Sequence, residues 1–138
     1  MKHYKVFKHT ADLGLEIYGR SLPELFTHAA LALFELLTDL HRVKPNGRWT
    51  LAVSGTDRED LLVNYLREVL YLYNGKGLLL SDFSITDMEE GFLRGEARGE
   101  SFDASKHTIK KEIKAVTYHQ ASIRQTAKGW QGRIVVDV

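Results

Sequence analysis

Beyond Gly77 no helical period returns in this chain. Residues 78–87, 92–102, 109–117, 119–126 and 130–136 alternate apolar with polar positions or carry the β-branched and aromatic residues that suit a pleated surface. Between them stand turn formers: Glu89-Glu90-Gly91, Asp103-Ala104-Ser105 and Ala127-Lys128-Gly129. Short turns join antiparallel strands, so the last three segments are expected to pair as antiparallel neighbours. Helices, if any, must come from the first half.

Two helices are legible there. Ser21-Leu22-Pro23-Glu24 opens the first, with a hydroxyl to cap the turn, a glutamate to reach back and a proline where a missing N–H costs nothing. Leu22, Leu25, Phe26, Ala29, Ala30, Leu33, Phe34 and Leu37 then recur at helical spacing up to about Asp39. Thr56-Asp57-Arg58-Glu59-Asp60 opens the second, placing carboxylates at the positive end of the helix dipole. Its stripe runs from Leu61 to Tyr73, and Asn74-Gly75 ends it. Residues 4–18 divide at His9-Thr10-Ala11-Asp12 into two extended pieces, and residues 49–53 form another strand after Pro45-Asn46-Gly47. The expectation is an α+β fold: two helices packed on a largely antiparallel β-sheet, in a single two-layer domain over residues 1–138. No linker, low-complexity tract or internal repeat interrupts it.

Composition narrows the function. The 19 Lys+Arg against 18 Asp+Glu leave a net charge of +1, too little for a protein that holds nucleic acid by neutralising many phosphates. With no cysteine, disulfides, thiolate nucleophiles and Cys-ligated metals are excluded, and a reducing, cytoplasmic compartment is expected. The first residues alternate charge with aromatics where a signal peptide needs a continuous apolar run, and Ala29-Ala30-Leu31-Ala32-Leu33-Phe34 is far below the ~18 residues that span a bilayer. No membrane association is expected.

Familiar catalytic signatures are absent: no Walker loop, dinucleotide fingerprint, His-Glu-x-x-His or Gly-x-Ser-x-Gly. Gly91, Gly95 and Gly99 read as strand glycines that admit a bulge or a close neighbour. Of the six histidines, His28, His41 and His107 read as surface or boundary residues, while His9 and His119 stand at strand ends where a proton carrier could face a cleft. The basic run from Lys106 to Lys114 reads as a strand whose Lys110, Glu112 and Lys114 protect a solvated edge. At the far end, Asp137 and the Val138 carboxylate put two hard oxygen donors side by side, one carboxylate short of a Ca²⁺ or Mg²⁺ site.

Six pieces, in this order and spacing, give the chain a family resemblance. They are His9-Thr10-Ala11-Asp12-Leu13-Gly14, residues 29–34 with Leu37-Thr38-Asp39-Leu40, Asp60-Leu61-Leu62-Val63-Asn64-Tyr65-Leu66, Gly99-Glu100-Ser101-Phe102-Asp103, Ile113-Lys114-Ala115-Val116-Thr117-Tyr118-His119, and Val136-Asp137-Val138. Over essentially its whole length the sequence resembles archease. Ala104 departs from it, where members often carry proline.

The resemblance implies a non-catalytic activator of the RtcB-type RNA ligase. That ligase joins 2′,3′-cyclic phosphate or 3′-phosphate RNA ends to 5′-hydroxyl ends in tRNA splicing and RNA repair, after guanylylating its own histidine with GTP and a divalent metal. An archease is expected to promote the guanylylation, sustain multiple turnover and broaden nucleotide use. The resemblance also implies a divalent cation, calcium foremost and Mg²⁺ or Mn²⁺ as alternatives, held by Asp12, Asp137 and Val138. Asp12 is then the third carboxylate that the terminal pair lacks, and an oxygen-only ligand set accounts for the missing Cys and His spacing pattern. His9, Tyr118 and His119 recur in the resemblance with no role attached. Two rivals are a small metal-dependent hydrolase using the same carboxylates and a chaperone or modulator of tRNA-modifying enzymes.

Overall fold

The structure is a computed structural model describing residues 3–9 and 12–138, with Lys8 and His9 described by their backbone alone. Its strands are β1 (Tyr4–His9), β2 (Asp12–Gly19), β3 (Gly47–Ser54), β4 (Leu78–Glu89), β5 (Phe92–Ser101), β6 (Ala115–Thr126) and β7 (Gly129–Asp137), and its helices α1 (Leu22–Leu37) and α2 (Arg58–Asn74). The expected α+β architecture is found, and its antiparallel strands fall into two sheets, β1-β2-β7-β6 and β3-β5-β4. Both helices touch both sheets. Between them the helices and the inner sheet faces form one apolar cluster centred on Phe26, Leu33, Phe34, Leu62, Leu66 and Leu79.

Both helices begin on the residues that the caps select. Ser21 Oγ accepts the Glu24 N–H at 3.2 Å while Glu24 Oε1 reaches one residue past the cap to accept the Arg20 N–H at 3.0 Å, a variant of the capping box. Asp57 Oδ1 accepts the Asp60 N–H at 2.8 Å, and Asp60 Oδ2 accepts the Thr56 N–H at 2.8 Å. These bonds supply partners to donors that a helix start otherwise leaves to solvent.

The glycines of β5 admit close neighbours, as their spacing suggests. A Cβ on Gly95 or Gly99 would collide with the β4 carbonyl oxygens of Ser84 or Leu79, near the two register shifts of the β4–β5 ladder.

Two expectations fail. Residues 109–117 are not one strand: between β5 and Ala115 the chain is irregular, touching a strand pattern only at the isolated Thr38–Ile109 bridge. The spaced isoleucines that suggested alternation anchor a loop, with Ile113 buried and Ile109 packed on the core. Nor does a new strand begin at His119, because β6 runs unbroken through Tyr118. Its register on β7 jumps between Thr117↔Val135 and Ser122↔Arg133, so residues 118–121 form a wide bulge, with Gln120 at φ +58°.

A candidate cation site and the networks around it

Residues 13, 15 and 17 of β2 face the core, so Asp12 and Glu16 belong to the opposite face, which no helix covers. The β2–β7 ladder pairs Leu13 with Val136 and Leu15 with Ile134, and one step further pairs Asp12 with Asp137. Cross-strand partners stand on one face with Cα atoms ~4.5–5.5 Å apart, so these two carboxylates, remote in sequence, are neighbours. Both residues are half-buried. The Lys114 N–H donates to Asp137 O at 2.8 Å, fixing the end of β7 from its other side, and the Val138 side chain packs on the core. Among the described residues no group of three His, Cys, Asp or Glu side chains is arranged to hold a metal. Val138, the third residue of the expected set, follows Asp137 directly in the chain.

On the same open face Phe7 lays its ring across Gly14, where a Cβ would collide with it. The Arg133 guanidinium lies 4.3 Å from the ring centroid, and Val135 beside Gly14 is buried. Thr10 and Ala11 of the first motif, and the His9 side chain, lie outside the described residues. The His9 backbone pairs with Asp12.

Two polar networks that sequence reasoning passed over support this end and the β6 bulge. Tyr118, half exposed, donates its hydroxyl to Asp60 Oδ1 at 2.7 Å, with Asn64 Oδ1 at 2.9 Å, and Arg67 stacks on its ring at 4.4 Å. The bond to Tyr118 is the main cause holding the Asp60 carboxyl below its ordinary range, and the same bond raises the tyrosine. Asp60, Asn64 and Arg67 follow one polar face of α2, and that spacing was the signal available in the sequence. Side chains of α2 also hold the outer edge of β6 and the segment leading into it: Arg67 Nε donates to Val116 O at 2.9 Å, Glu59 Oε2 accepts the Ile123 N–H at 3.1 Å, and Asn74 Nδ2 donates to Ile113 O at 3.1 Å, just before the strand. His119 is exposed in the bulge.

The second network corrects the reading of His107 as a surface or boundary residue, for its side chain has no exposure. Its Nδ1 accepts the Asp103 N–H at 3.0 Å, which leaves the proton on Nε2, 2.9 Å from Glu100 Oε2. Lys106 Nζ at 2.6 Å and the Lys44 N–H at 2.9 Å complete the ring of donors around that oxygen. Together they hold the Glu100 carboxyl down at about 2, the Lys106 bond foremost. Glu100 thus pins the start of the irregular segment, whose far end is tied to Asp137 through Lys114.

Two helices on two antiparallel sheets place the chain among small single-domain α+β proteins, and comparison with known proteins gives the family. The chain matches the Archease protein family (MTH1598/TM1083) over residues 4–138. It is 38% identical to the protein archease of Pyrococcus furiosus over 142 residues, covering 100% of both chains, and 40% identical to that of Saccharolobus islandicus over 139 residues, again covering 100% of both. Its fold is similar to the solution structure of Methanobacterium thermoautotrophicum protein 1598, with a TM-score of 0.83, 31% identity and full coverage of both chains. It also resembles the crystal structure of an archease, possible chaperone, from Thermotoga maritima, with a TM-score of 0.67 and 24% identity over 97% of this chain and 96% of that one. The chain belongs to the archease family.

Proposed function

We propose that this protein activates an RtcB-type RNA ligase in tRNA splicing and RNA repair, promoting the ligase's guanylylation and repeated turnover without catalysing a reaction itself. It acts in the cytoplasm, through a face that carries a divalent cation, Ca²⁺ foremost with Mg²⁺ or Mn²⁺ as alternatives. The observation that carries this reading is the cross-strand pairing of Asp12 with Asp137, one residue from Val138, in a chain of the archease family. The donor set fits a hard cation, since two carboxylates and a main-chain carboxylate offer only oxygen. Asp12, Asp137 and the Val138 carboxylate would hold the ion, which supplies a fixed positive charge for anionic groups of the partner. Left without it, the gathered carboxylates repel one another.

The hydrolase rival is weaker because a metal hydrolase surrounds its ion with a cleft. Among the described residues, clefts of about 690 and about 360 Å³ are lined by none of the three residues. The chaperone reading draws on the Thermotoga maritima archease, a possible chaperone. A ligation time course with the cognate ligase, with and without this protein, separates them. Guanylylation should accelerate, and Asp12→Ala or Asp137→Ala should abolish the acceleration while weakening Ca²⁺ binding in calorimetry at least about tenfold, the cost of losing one charged ligand. Unchanged Ca²⁺ affinity in both variants would sink the cation site. A ligase indifferent to the protein would leave the chaperone reading standing.

A further inference from the structure

The larger of these clefts lies at the other end of the first sheet from Asp12 and Asp137. From Asp12 to Gly19, β2 spans roughly 23 Å at ~3.3 Å per residue. At the Gly19 end the chain turns directly into α1, whose backbone at Leu25 would meet a Cβ on Gly19. Here the starts of both helices meet the β4–β5 turn. The floor is apolar: Phe26 and Leu61 are buried, and Leu22 and Met88 pack partly against the core. Its volume, about 690 Å³, is within the range of sites that take a ligand or an anchoring side chain.

The rim is acidic. Asp57, Glu59, Glu89 and Glu90 surround the floor, against the single cation Arg58, whose guanidinium lies 4.8 Å from the centroid of the Trp130 ring. Two helix starts bring roughly half a positive charge each, which offsets about one of the carboxylates and leaves the rim negative. The capping bonds of Ser21, Glu24, Asp57 and Asp60 already occupy donors that an anion would use. Glu89 and Glu90 are exposed, and among the described residues their side chains make no hydrogen bond or ion pair, so their charge faces outward. The rim is also preformed: the Gly55 N–H donates to Gly91 O at 3.0 Å, tying the turn to the entry of α2.

We infer that this cleft docks a basic amphipathic segment of a partner protein, an aliphatic or aromatic side chain seated on Leu22, Phe26, Leu61 and Met88 with flanking lysines or arginines on the acidic rim. An anionic segment meets a net-negative rim, and a purely polar cation leaves the floor uncovered. The surface is separate from the cation site, so the two can be disabled independently.

The test uses three synthetic peptides as probes: leucine alternating with lysine, leucine alternating with glutamate, and glycine alternating with lysine. Amide shifts of the ¹⁵N-labelled full chain are followed during titration. The leucine–lysine peptide should move the amides of Leu22, Phe26, Leu61, Met88 and Gly91, with affinity falling as salt rises. The Glu89→Lys/Glu90→Lys variant, its remaining spectrum unchanged, should bind it at least about tenfold more weakly yet bind Ca²⁺ as the parent does, while Asp12→Ala should bind the peptide normally. Equal binding of either control peptide overturns the proposal. So do shifts confined to another surface, undiminished affinity in the charge-reversed variant, or no binding at millimolar peptide.

Discussion

Glu100 shows how much one side chain settles. A strand ends beside it, an irregular segment begins, and its carboxylate gathers donors from Lys44, Lys106 and His107. A carboxyl held at about 2 in the folded chain against 4.5 ordinarily binds its proton more readily when the chain unfolds. Its contribution to stability is therefore full above pH 4.5 and is lost as pH falls towards about 2. The stability gap between the parent and Glu100→Gln, read from urea midpoints, should close over that window; a gap constant from pH 5 to about 2 would contradict the ring of charge-assisted bonds. None of this was legible beforehand, because a histidine between polar residues gives no sign that it will be buried. Asp12 is similar: its neighbours in sequence are silent about Asp137, and only family resemblance joined them before the β2–β7 register did.

At the scale of elements, legibility follows locality. The helices were readable because cap, period and stop lie within a few residues of one another, and α1 and α2 match their expected bounds closely. The β6 bulge was not, since a break in alternation looks the same whether the chain turns back or carries extra residues forward. Only pairing to β7 on both sides of residues 118–121 decides it. Gln120 holds a left-handed backbone there, which costs a residue with a Cβ about 1–2 kcal/mol relative to glycine's freedom. Gln120→Gly is expected to be neutral to about 1 kcal/mol stabilising, and Gln120→Val, β-branched, to be destabilising by at least about 1 kcal/mol. Chemical denaturation of the pair checks the order, and a valine variant as stable as the glycine one would show that the bulge relaxes.

For the whole molecule, an ion at Asp12 and Asp137 would tie residues far apart in sequence and absent as a pair from the unfolded chain. Ligands of the native state alone stabilise by mass action, about 2.7 kcal/mol at a hundred times the dissociation constant. Calcium at that excess should raise the thermal midpoint by several degrees, EDTA should reverse it, and Asp12→Asn should abolish it. A midpoint indifferent to calcium in the parent would remove the cation from the proposed function without touching the acidic cleft at the opposite end.

The place of β7 has a consequence for how such a chain is made. It follows every other strand and both helices in chain order, yet it lies between β2 and β6 in the first sheet. A ribosome delivers β1, β2, both helices and the whole second sheet before it delivers residues 129–137, and β2 must wait with one edge bare while the rest emerges. A chain that stops before residue 129 has a gap in the middle of a sheet rather than a frayed end. A molecule with β7 in place is thereby separated sharply from one that lacks it.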